Sequence, residues 1–87
     1  MKRLVQVQEI GGEGLVGLLG KRVTMFCMNY IYTGMLTGVN ESFALLEDAA
    51  IVYETGELHT KEWKDAQKLP HPVYVMLRGV ESFMELK

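Results

Sequence analysis

Apolar and other residues alternate through residues 34–39 (GMLTGV), and a second apolar run, residues 43–46 (FALL), follows Asn40, Glu41 and Ser42. Period-two alternation on both sides of a short polar turn predicts two paired strands. Gly34 and Gly38 sit inside the first strand. Glycine weakens a strand interior, so such a pair points to a sharp bend or a close backbone approach. Strands bend this hard in small, strongly curved barrels. Upstream, residues 23–28 (VTMFCM) carry apolar side chains on both faces, the pattern of a strand buried on both sides. Asn29 and Tyr30 form the following turn, and residues 32–39 make the bent second strand. The third strand starts at Phe43. The β-rich Ile51, Val52 and Tyr53 continue it past a break at residues 48–50, and Thr55-Gly56 ends it. Residues 73–77 and 80–86 are the last two strands, with Arg78-Gly79 as a tight turn between them.

The remaining stretches are less regular. Residues 3–10 (RLVQVQEI) read as a short β segment, an extra edge strand or an arm reaching a neighbour. Gly11, Gly12, Gly14 and Gly17 discourage a stable helix over residues 11–20, leaving a short turn that presents Leu15, Leu18 and Leu19. Residues 56–72 form a polar excursion. Within it, residues 60–68 fit a short helix with Thr60 as N-cap, Glu62 and Asp65 near its start, and Trp63 and Leu69 as anchors. Pro70 and Pro72 then force an extended exit.

Two of these stretches carry a family resemblance. Gly34-x-Leu36-x-Gly38-x-Asn40, then Phe43 and Leu45, then Asp48-Ala49, resembles the first Sm motif of Sm and LSm proteins. Val75-Met76-Leu77-Arg78-Gly79-Val80 looks like the second, an aliphatic-Arg-Gly core. The motifs stand in the family's order with a long insert between them. With the lead-in Gly20-Lys21-Arg22-Val23, the resemblance covers most of residues 20–83. The run 46–56 also looks like Sm-like proteins of phage-associated, metagenomic origin.

The resemblance implies an all-β fold: a small, strongly bent five-stranded antiparallel SH3-like barrel, with a short N-terminal helix as an option. It implies one domain, 1–87, made of an arm or helix (1–19), a first-motif region (20–54), a connecting excursion (55–72) and a second-motif region (73–87). It further implies a closed homo-oligomeric ring of roughly five to seven copies. Strands 73–77 and 80–84 would supply the unpaired borders, because unpaired strand edges must be covered, charged or paired. In Sm rings the turns of the two motifs line a central pore. Arg78, Gly79, Asn40, Ser42 and Phe43 are therefore the candidate residues for RNA or single-stranded nucleic acid. Repetition of Arg78 around a ring would concentrate positive charge for phosphates or base stacking. Asn40 stands where the family often has Asp, Ser42 where a stacking side chain is common, and Ala44 where a base-reading Asn is usual. Ala offers a base no hydrogen bond and Ser no π-face. The uridine-type pocket is thus degraded. Phe43 reads mainly as core, and Tyr30 or Tyr32 offers stacking from another direction.

Composition narrows this picture. Eighty-seven residues make one domain, which buries only about 60 to 65% of its unfolded surface. An apolar fraction of 48% with six Met suits a subunit interface or a large core. The net charge of −2 with mixed signs lacks the global footprint of a nucleic-acid binder, so binding would need a local cluster of cations. The single cysteine, Cys27, excludes an intramolecular disulfide and fits a core or interface in a reducing compartment. No secretory signal or membrane-length apolar run is visible, which points to the cytoplasm of a bacterial or phage-infected cell without membrane contact.

Residues 12–17 spell G-x-G-x-x-G, but the β pattern resumes at Val23, leaving no room for the helix a phosphate site needs. Cys27, His59 and His71 match no metal-ligand spacing, and the two histidines read as solvated loop residues. Glu47 and Asp48 read as a solvated strand end. No catalytic, cofactor or metal residue is assigned, so an enzyme is disfavoured. The leading expectation is nucleic-acid binding at a ring pore, with a role in RNA or DNA processing. The alternative is a structural ring, a phage-associated assembly component, with residues 57–69 as a partner surface.

Overall fold

The structure is a computed structural model and describes residues 14–86. The 3–10 segment, and with it the expected edge strand or arm, lies outside the described residues. Six strands form one antiparallel sheet: β1 (Arg22–Cys27), β2 (Ile31–Val39), β3 (Phe43–Glu54), β4 (Asp65–Lys68), β5 (Val73–Met76) and β6 (Val80–Glu85). The only helical pieces among the described residues are two 3-10 turns, Val16–Leu18 and Leu77–Gly79. No helix among them is long and apolar enough to cross a membrane. The chain is thus mainly β, as its period-two alternation predicts.

Strand order runs β4-β3-β2-β1-β6, and β5 is a second partner of β3. The twelve residues of β3 serve three neighbours. One edge pairs with β2 along its length. On the other edge Phe43 to Leu46 meet β5, and Ala50 to Glu54 meet β4. A strand so shared must bend, and the register shows where. Thr33 pairs with Ala50 and Met35 with Glu47, so Asp48 and Ala49 together oppose Gly34. This bulge places Asp48 at φ 49°, a left-handed conformation that Asp tolerates better than most residues. A Cβ on Gly34 would lie 3.0 Å from the Glu47 carbonyl oxygen and 3.2 Å from the Ala49 Cα. Glycine is required here because the bulged backbone closes on it. Gly38 differs. A Cβ there would sit 3.6 Å from Leu45 Cβ, an ordinary contact. Gly38 accompanies a second register shift, at Thr37, without being crowded.

Val23, Met25, Leu36, Ala44, Leu46, Ala49 and Val75 form the core. Leu15 and Leu18 of the first 3-10 turn pack against it, and Leu69 closes it from the excursion. The turn is tied to β2 where the Gly20 N–H donates to the Leu36 carbonyl at 2.7 Å. Leu19, at the end of that turn, is exposed.

Five expectations are corrected. The sheet has six strands, not five. The helix expected over residues 60–68 is absent: Asp65–Lys68 is β4, added to the free half of β3. Edge pairing gives this short segment backbone hydrogen bonds to an existing strand, whereas a lone helical turn in water must nucleate by itself. Residues 48–50 do not break β3, since the bulge absorbs the extra residue. Burial on both faces of β1 holds only from Val23 to Met25; Phe26 and Cys27 are half-buried and Met28 is exposed. The 1–19 segment contributes a 3-10 turn rather than a helix among its described residues.

Candidate nucleic-acid interface

The β2–β3 turn is built by one side chain. The Oδ1 atom of Asn40 accepts hydrogen bonds from the backbone N–H groups of Ser42 and Phe43, both at 2.8 Å. The Asn40 N–H donates to the Phe43 carbonyl at 3.0 Å. Such a side-chain-closed turn fixes the chain reversal without glycine. It also commits the Asn40 oxygen to the backbone, away from any ligand.

The second turn, Leu77–Gly79, lies against the first. The Leu77 N–H donates to the Ser42 carbonyl at 3.0 Å, just beyond the Phe43–Met76 pair of β3 and β5. The Gly79 carbonyl in turn accepts from the Met28 N–H at 3.2 Å. Three turns, 28–30, 40–42 and 77–79, therefore converge at one end of the sheet. Two segments more than thirty residues apart, carrying Asn40, Ser42 and Phe43 on one side and Arg78 and Gly79 on the other, are neighbours. Arg78 is exposed and makes no ion pair or hydrogen bond with a described residue. A side chain added at Gly79 would meet nothing within 4 Å, so the approach to this turn is open.

Phe43 is half-buried rather than core. Its ring stands edge-on to Tyr74 at 5.0 Å. Tyr30 and Tyr32 form a second edge-on pair at 6.2 Å. Together with Cys27 and Met76 they border a groove of about 280 Å³ beside Gly79. Burial raises the Cys27 thiol pKa, and the Glu81 charge adds to it. Burial likewise raises Tyr32, helped by Cys27 and Tyr30. These groups stay neutral at physiological pH, so the groove offers aromatic faces and hydroxyl donors rather than charge. Glu41 and Glu81 flank the turns, and Arg78 is the cation among them.

His59 and His71 are exposed, and no group of three metal-ligating side chains exists among the described residues. The excursion holds what sequence reasoning missed. Asp48 accepts from Arg22 at 3.0 Å and from Lys68 at 3.2 Å, joining β1, β3 and β4. The Lys68 hydrogen bond and charge, then those of Arg22, hold the Asp48 carboxyl below its ordinary pKa. Partners 26 and 20 residues distant leave no local signal in the sequence. No protein-family model, curated protein or solved structure matches the chain.

Proposed function

We propose that the chain is an Sm-like protomer that closes into a homo-oligomeric ring and binds RNA or another single strand at the pore. In this reading β4 is an addition to a five-stranded Sm plan, and β5 and β6 would be its fourth and fifth strands. Among the described residues each pairs along one edge, β5 with β3 and β6 with β1. Tyr74 and Met76 on β5, and Phe83 and Met84 on β6, are exposed apolar side chains available to a sister copy. Head-to-tail pairing of the two edges is heterologous and can close. The observation that carries the binding reading is the Leu77–Ser42 hydrogen bond, which sets the Arg78 turn against the 40–43 turn. Arg78 and Gly79 would meet phosphate and base, Phe43 would contribute ring surface, and Asn40 would hold the turn that presents Ser42.

The test is a titration of labelled oligo-U, oligo-A and single-stranded DNA at two salt concentrations, with native protein and Arg78→Ala. Binding should weaken steeply with salt, because phosphate contacts release counterions. Arg78→Ala should abolish it. Unchanged binding by the variant sinks the pore assignment. A structural ring without nucleic-acid chemistry is the second reading. It is favoured by Glu41 and Glu81, acidic residues in and next to the same turns, and by the exposed apolar strands, which serve assembly whether or not a strand binds. Absence of binding by a ring-sized native protein would select it.

A further inference from the structure

The excursion and β4 enclose a second cleft, of about 420 Å³, remote from Arg78. Arg22 opens β1 and lines this cleft, whereas Met28, just past the end of β1, touches Gly79. Roughly 15–20 Å of strand separates the two places.

The cleft has three parts. Its floor is low because the residues there are short: Thr33 and Ala50 pair across β2 and β3 and are almost wholly covered, with Ala66 beside them. One wall is the half-buried Trp63. Its rim carries Arg22, Lys61, Lys64 and Lys68, four cations against the carboxylates of Asp48, Glu62 and Asp65. Arg22 and Lys68 are occupied by Asp48, and Lys64 reaches outward to Glu54 at 3.4 Å. Lys61 has no ion-pair partner among the described residues. Exposed pairs such as Lys64–Glu54 exchange partners at little cost. A cleft lined by an indole and by lysines matches a particular chemistry: an aromatic base stacked on the indole, with its phosphate at the ammonium groups.

We infer that the Trp63 cleft binds a nucleobase bearing a phosphate, with the base against Trp63 and the phosphate at Lys61 and Lys64. The ligand is either a free nucleotide or one unit of a strand. The site stands independently of the pore reading, since it uses neither Arg78 nor assembly.

Trp63 is the only tryptophan in the chain, so its fluorescence reports on this cleft alone. The full chain is titrated with AMP, UMP, oligo-A, oligo-U and inorganic pyrophosphate, in the native and Arg78→Ala forms. Saturable quenching is expected, equal in both forms. Quenching by the mononucleotides identifies a free nucleotide as ligand, and quenching by oligonucleotides alone identifies a strand. Lys61→Ala and Lys64→Ala, both exposed and outside the core, should each weaken binding roughly fivefold, the loss of one charge-assisted contact. Three results would overturn the assignment: no quenching, equal quenching by pyrophosphate, or native affinity in both lysine variants. Loss of the signal in Arg78→Ala would overturn the site's independence. Trp63→Phe, checked for folding by circular dichroism and followed by anisotropy of a labelled ligand in the Arg78→Ala background, should keep part of the affinity. Unchanged affinity of Trp63→Leu in the same assay would also count against it.

Discussion

At the residue scale, the two glycines of β2 are not equivalent, although the sequence presents them as a pair. Gly34→Ala must push a Cβ into the Glu47 carbonyl and the Ala49 backbone, which cannot rotate away. A loss of about 1–3 kcal/mol is expected in denaturant unfolding. Gly38→Ala meets only an ordinary contact at a φ open to any residue, and should change stability by less than about 0.5 kcal/mol. Asp48 is the other residue whose role depends on its surroundings. Its folded pKa is depressed by Lys68 and Arg22, so its stabilising contribution is complete above the unfolded carboxyl value, about 3.9. The contribution is lost as pH falls through the lower folded value. Asp48→Asn keeps a residue that tolerates positive φ while removing the charge. The stability gap between native and variant should therefore be present near neutrality and close on acidification. It should also shrink in high salt, because the pairs are exposed. A gap that grows toward low pH would refute this account.

At the element scale, β3 organises the molecule because it alone faces β2, β4 and β5. Its inward residues Ala44, Leu46, Ala49 and Val52 are all buried. Leu46 stands opposite Leu36, and neither exposes any surface. Leu36→Ala and Leu46→Ala should each cost about 2–5 kcal/mol in urea melts, through lost burial and an unfilled cavity. In a chain of this size that approaches the whole stability. Losses below about 1 kcal/mol would mean that these residues are not the centre of the core. β1, β2, β5 and β6 are readable as strands from the residues in and around them, β2 by its period of two and β1 by apolar residues on both faces. β4 is not. Asp65, Ala66, Gln67 and Lys68 have weak strand propensity and are exposed throughout, and they are β only because the second half of β3 offers them an open edge. A capping Thr60 and two early acids suggest a helix to any local rule, and tertiary pairing overrides them.

At the scale of the whole molecule, the proposed ring makes a specific demand on the two bordering strands. Tyr74→Lys combined with Met84→Lys alters exposed side chains only, so the fold should survive by circular dichroism. The mass from light scattering should then fall from a closed ring toward a single chain. A native protein that is already a single chain would refute the assembly. By itself the sequence determined the β class, the positions of five strands, the meeting of glycine with a bend at Gly34 and the two turns carrying Asn40 and Arg78. These are properties of residues close in the chain, where side-chain period and turn chemistry act directly. The tertiary structure alone decided the hydrogen bond that holds those turns together, the sixth strand, the Asp48 junction and the Trp63 cleft. Each joins residues well beyond one turn of chain, from 11 apart for Glu54 and Asp65 to 35 apart for Ser42 and Leu77, and such contacts depend on how β3 bends to share its edge, which no local pattern encodes.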